Sequence, residues 1–247
     1  MPASEHDSLP PPADENICLW RYMDFTKFVD LISSGRMFFC RADKFRDPYE
    51  GSLSSANEAL KDVIYGSAPE EQRDRLVEDG KRLRRSLRQW TYINCWHAND
   101  HESAAMWDLY AKTNESIAIK TTFSKLKHCL PKESHLGMVN YVDYERWAIP
   151  ETNLLYPFIF KRKSFEHERE ARAIIIDLQG LANCEDVEKT NAQFGRSVSL
   201  NLNDLIETIY VSPEASGWFT KLVEKVSETY QIKAEVIKSD LYKSPIY

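Results

Sequence analysis

The sequence predicts an α+β fold: a single domain with a mixed β-sheet flanked by helices. Three observations lead there. β-branched runs and helical-period stretches alternate without the strict strand–helix–strand beat of a parallel sheet. At 247 residues, 43% apolar and 28% charged, the chain has the length and composition of one globular domain. The strongest β-branched run, Ala171-Arg-Ala-Ile-Ile-Ile-Asp177, suits a sheet centre.

Residues 1–16 are acidic, contain Pro10-Pro11-Pro12 and lack the basic and apolar regions of a signal peptide. A disordered Pro-rich tail is therefore expected ahead of a domain over residues 17–247. Residues 18–22 read as a strand. The helix that follows carries Phe25, Phe28, Val29 and Ile32 at helical spacing, with Asp24 placed to cap its start and Ser34-Gly35 its stop. A strand over 37–40 leads to a turn, Arg46-Asp-Pro-Tyr-Glu-Gly51, because the residue before a proline avoids the helical region.

A polar helical insertion covers about 53–90, broken near residues 66–69. In its second piece Leu76, Leu83, Leu87 and Trp90 share one face, and Lys81, Arg84, Arg85 and Arg88 another. Strands follow at 90–96, 116–122 and 138–144. A helix lies between the first two at 103–112, with Met106, Leu109 and Tyr110 as its buried stripe. Residues 154–165 read as a helix with Leu155, Phe158 and Ile159 inward. After the 171–177 strand come strands near 198–202, 208–211 and 233–237, and a helix over about 215–230.

Composition excludes several function classes. Only eight glycines occur, scattered along the chain, where ~7% of residues would be usual. No two are close enough for a Walker loop or a dinucleotide fingerprint. No apolar run approaches the ~18 residues of a membrane span. Five cysteines (Cys18, Cys40, Cys95, Cys129 and Cys184) are odd in number and fall in no paired spacing, which points to reduced thiols in a cytoplasmic protein. A net charge of −6 argues against a general nucleic-acid coat but leaves room for a local basic patch.

Four constellations bear on chemistry. The first is Lys161-Arg-Lys-Ser-Phe-Glu-His-Glu-Arg-Glu-Ala-Arg172, directly before the apolar strand. Glu170 and Arg172 project to one face of that strand and Ala171 and Ala173 to the other. A carboxylate held there beside cations stays ionised and can meet a developing positive charge; the plainer reading is a solvated ion-pair cluster. The second, Cys95-Trp-His-Ala-Asn-Asp-His101, offers a thiol and two imidazoles. It lacks a second cysteine pair for zinc and a third group to orient a Cys95–His97 nucleophile, so a strand end running into a polar loop fits it better. The third is the Lys81, Arg84, Arg85 and Arg88 face, either a solvated surface or a site for phosphate backbones. The fourth is Arg21, set between Trp20 and Tyr22, where a guanidinium needs a partner or a ligand.

Several blocks in order resemble a largely bacterial family, the domain of unknown function 2971. Leu19-Trp-Arg-Tyr22, the 25–35 helix and Met37-Phe-Phe-Cys-Arg-Ala-Asp-Lys-Phe-Arg-Asp-Pro-Tyr-Glu50 are similar to its opening. Cys95-Trp-His97 with Met106-Trp-Asp-Leu-Tyr-Ala111 is similar to its middle. Lys163 with Phe165-Glu-His-Glu-Arg-Glu-Ala-Arg172 is similar to its late block, and Tyr210-Val-Ser-Pro-Glu214 and Ser239-Asp-Leu241 to its tail. The resemblance covers about residues 17–247.

More distantly, the layout resembles the ADP-ribosyltransferases, above all the toxins that modify DNA. These open on a strand bearing His or Arg and a helix ending in glycine, and close on a catalytic Glu entering a late strand. Arg21, the 94–110 segment and Glu170 stand in the corresponding places. The chain departs from that pattern in having no clear Ser-Thr-Ser strand, and many relatives of the unknown-function family have His where Arg21 stands.

What the second resemblance implies is a split sheet and NAD-dependent ADP-ribosyl transfer in a toxin or phage-defence setting. Glu170 is then catalytic, with Glu168 as an alternate or an acceptor-side base. Arg21 holds a pyrophosphate or ribose oxygen, Tyr22, Trp107 or Tyr110 stacks the nicotinamide, and Arg172 lies on the same NAD site. Two other readings stay open. One is a binding or sensor module in which Arg21, Arg172 and Glu170 form a buried ion network. The other is a metal-dependent nuclease built on Asp47, Glu50 and Glu170.

Overall fold

The structure is a computed structural model that describes residues 3, 6, 8–111, 113–183 and 191–246. Cys184, and Lys112 at the end of the expected 103–112 helix, lie outside the described residues. In chain order the elements are β1 (Cys18–Asp24), α1 (Phe25–Ser34), β2 (Arg36–Arg41), α2 (Ser55–Ala59), α3 (Lys61–Ile64), α4 (Glu70–Gln89), β3 (Thr91–Ala98), α5 (Ala104–Tyr110), β4 (Ser116–Thr122) and α6 (Phe123–Cys129). They continue as β5 (Ser134–Met138), β6 (Asn140–Val142), α7 (Tyr156–Ile159), β7 (Phe160–Arg162), β8 (Glu170–Ile176), α8 (Leu178–Ala182), β9 (Gly195–Ser199), α9 (Leu202–Leu205), β10 (Thr208–Val211), α10 (Gly217–Thr229) and β11 (Glu235–Lys238). Short 3-10 segments occupy Ala42–Lys44 and Lys163–Glu168.

The fold is α+β, as the element pattern predicts: a mixed sheet flanked by helices, antiparallel except where β10 and β11 run parallel. β3 is its hub. One edge of β3 runs antiparallel along β8 from Thr91↔Ile176 to His97↔Glu170. Its other edge is shared. β2 takes it at Tyr92 and Ile93, and β1 takes it at His97 and Ala98. Residues 94–96 between them have no strand partner on that edge among the described residues. The sheet therefore forks, one arm being β1-β4-β10-β11 and the other β2-β9.

Helices bury the two faces. α1, α6 and α10 bring Phe28, Phe123 and Phe219 against Leu19, Ile117 and Ile119. On the other face α5 sets Met106 and Trp107 on Trp20 and Tyr22 of β1. Leu87 of α4 and Phe158 and Ile159 of α7 cover Ile93 and Ile174 of β3 and β8. Burial of such side chains, roughly 1.5–3 kcal/mol each, is what holds the arms of the fork in place.

Several expectations are corrected. Residues 154–165 do not form one helix: only Tyr156–Ile159 is helical, because 160–162 find backbone partners in β6 and pair with it as β7. The 138–144 strand divides into β5 and β6, which pair with β8 and β7 respectively, and Val139 between them donates its N–H to the Glu170 carbonyl (2.9 Å). Residues near 198–202 straddle the end of β9 and the start of α9. Asp24 occupies the N-cap of α1 but its side chain makes no capping bond, whereas Gly35 takes the left-handed conformation (φ 62°) that a helix stop needs.

In α5 the buried residues are Met106 and Trp107, while Leu109 and Tyr110 are exposed. Leu76 and Leu83 of α4 are exposed as well, so only Leu87 of that apolar face meets the core. The N-terminal segment is not loose along its described length. Leu9 is buried with Phe158 and Ile174, and the Pro10 carbonyl accepts from Met138 N (3.0 Å) at the edge of β5. Gly137 makes this possible, since a Cβ there would come within 2.6 Å of the Leu9 carbonyl oxygen.

Candidate functional site

The fork opens onto a cavity of about 480 Å³. Its first wall is β1. Trp20 and Tyr22 turn toward α5 and Leu19 and Met23 toward the opposite core, which leaves Arg21 at the split. Arg21 Nη1 donates to the Cys95 carbonyl (2.8 Å), on the stretch of β3 left without a strand partner. Its guanidinium lies 5.9 Å from the centre of the Trp96 ring. Among the described residues no carboxylate is paired with it. Burial pulls its pKa below the usual arginine value, the signature of a charge removed from water with little in return.

The second wall comes from the turn into β8. Glu168 ends the 3-10 turn, Arg169 takes a left-handed conformation (φ 42°), and Glu170 begins the strand. Lys161 of β7 binds both carboxylates, through Glu168 Oε2 and through Glu170 Oε1 (3.3 Å). Tyr110 Oη donates to Glu168 Oε1 (3.2 Å), and Glu170 N donates to Tyr141 Oη (2.8 Å). Behind them Arg172 donates from Nε to Glu170 Oε2 (2.8 Å), to both oxygens of Glu50 (2.6 and 2.8 Å) and to the Phe158 carbonyl (2.7 Å).

The buried cluster thus holds three carboxylates against two cations, and Arg21 faces it across the cavity without joining it. Burial alone would raise the pKa of Glu170; Arg172 and Lys161 outweigh it and hold the carboxyl below its usual range. Burial likewise opposes the charge on Lys161, but Glu170 and Glu168 lift its pKa above the usual lysine value. Both groups are therefore charged at neutral pH.

His97 completes the rim. Its Nδ1 lies 2.7 Å from the Glu168 carbonyl oxygen, so Nδ1 carries the proton and Nε2 is left as an acceptor. Nε2 is buried without a partner among the described residues, and burial lowers the pKa of the ring. The Cys95 thiol is pushed well up by burial, then by Glu170, so it is not a thiolate. His97 Nε2 has no hydrogen-bond partner among the described residues, the Cys95 thiol included, so thiol and imidazole are not joined as nucleophile and base.

Five of the residues singled out from sequence line one cavity: Arg21, Tyr22, Tyr110, Glu168 and Glu170. Two do not. Trp107 sits behind Tyr22, ring centres 4.9 Å apart and nearly perpendicular, and its indole donates to Glu102 (2.9 Å). Arg172 is fully buried with every guanidinium nitrogen bonded inside the protein, so it positions Glu170 and has no donor left for a ligand. Of the carboxylates of the nuclease reading, Glu50 and Glu170 share Arg172 and Asp47 is held by another cation. Asp47 pairs with Arg162 (2.7 Å) and Glu50 with Arg172. No group of three His, Cys, Asp or Glu side chains among the described residues is arranged to hold a metal ion.

Sequence reasoning left Lys161 and His97 without roles in the site. In the sequence Lys161 is only one of eight charged residues among the twelve of 161–172. The chemistry of His97 depends on the Glu168 carbonyl, a partner 71 residues away. No helix of the described residues is long and apolar enough to cross a membrane. Compared with protein-family models, with curated proteins and with solved structures, the chain finds no match.

Proposed function

We propose that the protein is an NAD-dependent ADP-ribosyltransferase whose site is the fork cavity. One observation carries the reading. An arginine without a carboxylate partner, on the first strand, shares a cavity of about 480 Å³ with two carboxylates at the mouth of a late strand. In such a transfer the bond between nicotinamide N1 and ribose C1′ breaks, the ring nitrogen takes the electron pair, an acceptor nucleophile bonds to C1′, and its proton passes to a base.

Each residue has a part in that scheme. Glu170, kept ionised by Arg172 and Lys161, stabilises the cationic ribose; losing one such contact typically costs ~3 kcal/mol, or ~100-fold or more in rate. Glu168 is the base on the acceptor side. Arg21 takes a pyrophosphate or ribose oxygen, and Tyr22 and Tyr110 supply ring surface at the cavity.

The test is incubation of the protein with NAD and, in turn, DNA, RNA and protein acceptors, following free nicotinamide and the mass of the acceptor. Transfer by wild type and its loss in Glu170→Gln is the expected result. NAD left intact by wild type with every acceptor overturns the reading.

A second reading has its own support. The Glu50–Arg172–Glu170–Lys161 network is complete without a ligand and fully internal, as a non-catalytic binding module needs. Arg21, which that reading placed in the network, stands outside it. Saturable NAD binding without turnover by any acceptor is the outcome that favours this module.

A further inference from the structure

The last ten residues of α4, 80–89, carry Lys81, Arg82, Arg84, Arg85 and Arg88 and no carboxylate. Like charges three and four positions apart oppose helix formation, so such a run is a cost unless an anion meets it. Lys81, Arg84, Arg85 and Arg88 do not spread over open solvent. They line a second cavity, about 390 Å³, whose other walls are the 49–55 loop with α2 and α3.

Five cations line this cavity, Lys61 being the fifth, against two carboxylates, Glu58 and Glu151. Both carboxylates are already engaged. Glu151 accepts from Arg84 (3.0 Å) and Tyr65 Oη (2.8 Å), and Glu58 pairs with Lys61 (3.5 Å). Lys81 pairs with Glu78 on its own helix (3.0 Å).

Arg85 and Arg88 are the remaining cations, and among the described residues neither has a carboxylate partner. Arg88 is half-buried, and its Nε is fully buried with no acceptor. A guanidinium partly withdrawn from water with no carboxylate partner is stabilised by an anion reaching the cavity it lines. Two unpaired guanidinium forks in a concave, positive basin match the planar, multi-oxygen geometry of phosphate.

We propose that this cavity is a phosphate-binding site, with Arg85 and Arg88 as its primary donors, for a phosphate group of a nucleotide or of a nucleic-acid strand. It is separate from the fork cavity and does not depend on the transferase reading.

Fluorescence anisotropy tests it, using a short labelled single-stranded oligonucleotide, with inorganic pyrophosphate and ADP as competitors, across a salt series. Wild type is expected to bind, and Arg85→Glu and Arg88→Gln each to weaken binding about tenfold and to lower the salt slope by about one unit. Arg85 is exposed, so its variant keeps the wild-type melting midpoint and reports binding alone. Displacement of the strand by pyrophosphate or ADP assigns the site to a nucleotide, and a strand that resists both assigns it to nucleic acid. Glu170→Gln is expected to bind like wild type whether or not the fork cavity is catalytic. Failure of wild type to bind any of the three probes overturns the proposal. So does unchanged affinity in Arg85→Glu and Arg88→Gln, or loss of binding in Glu170→Gln alone.

Discussion

Arg172 on β8 commits all three guanidinium nitrogens to Glu50, Glu170 and the Phe158 carbonyl, whereas Arg21 on β1 makes one bond, to the Cys95 carbonyl, and otherwise faces a cavity. Both sit in central strands among aromatic and apolar neighbours. The carboxylates around Arg172 lift its pKa against burial, and burial lowers that of Arg21. The difference separates a charge whose partners are internal from one whose partner is absent. In the first case the ion pairs define the position of Glu170. In the second the protein carries an uncompensated cation at the mouth of its forked sheet, the state a ligand's anion would relieve.

The largest effect follows from breaking the first member of the pair. Arg172→Met leaves Glu50 buried without its cation and Glu170 with Lys161 alone, and should cost ~3–5 kcal/mol of stability, read from the urea midpoint. A loss under ~1 kcal/mol would mean that the two carboxylates find water or protons instead, and that the network does not fix the site.

Glu170→Gln comes next. It removes charged hydrogen bonds from Arg172 and Lys161 but also relieves the carboxylate excess, so a loss of ~1–3 kcal/mol is expected at neutral pH. The pH dependence sharpens this. Because the folded-state pKa of Glu170 lies below its usual 4.5, its contribution is complete above that value and disappears as pH falls through the depressed one. The stability gap between wild type and Glu170→Gln should therefore close in acid, and a gap that stays constant below pH 4.5 would remove the ion pairs as its cause.

Arg21→Met breaks the other member. Only one bond to a backbone carbonyl and one ring contact are lost, so stability should fall by no more than ~1 kcal/mol while NAD binding, followed by calorimetry, is lost. Equal stability losses in Arg21→Met and Arg172→Met would erase the distinction between the two arginines.

How much of this was readable beforehand divides along the same line. β8 announced itself through Ile174-Ile-Ile176, and α1 through its apolar spacing and Gly35, because local pattern decides both. The spacing of Glu170 and Arg172 also gave their shared face. The fork was not readable, since nothing in Asn94-Cys-Trp96 says which neighbour its backbone lacks. Nor was the route of residues 154–165, where a proline-containing apolar stretch has helical spacing but gives up helix for pairing with β6. From sequence Arg172 fits either a ligand site or a buried ion network, because charge and position suit both. Only Glu50, 122 residues away, shows that it is a clamp.

His97 tests the rim of the cavity with a smaller effect. Its lowered pKa means that the ring is neutral in the fold and that its contribution, complete above 6.5, is lost as pH falls through the depressed value. Asn at this position keeps an N–H for the Glu168 carbonyl but has no Nε2. His97→Asn should therefore lose the part of the acid destabilisation that begins below pH 6.5, ahead of that due to Glu170, with neutral-pH stability within ~1 kcal/mol of wild type. An unchanged acid limb would show that the ring protonates freely and that Nε2 is not held as an acceptor.

The smallest effect concerns the backbone between the two carboxylates. Arg169 is held at φ 42°, where a Cβ costs ~1–2 kcal/mol, and its carbonyl accepts from Ala98 N (2.9 Å), locking the entry of β8 against β3. Gly relieves that strain but gains chain entropy when unfolded, so Arg169→Gly alone should change little. Comparison with Arg169→Ala isolates the turn, because both lose the side chain's bond to Asn99 (3.1 Å) and only Ala keeps the strain. Gly should be the more stable of the two by up to ~1 kcal/mol in thermal melts. If Ala equals or exceeds Gly, the left-handed residue is not what brings Glu168 and Glu170 to the same lysine, and the second wall of the cavity is held by Lys161 alone.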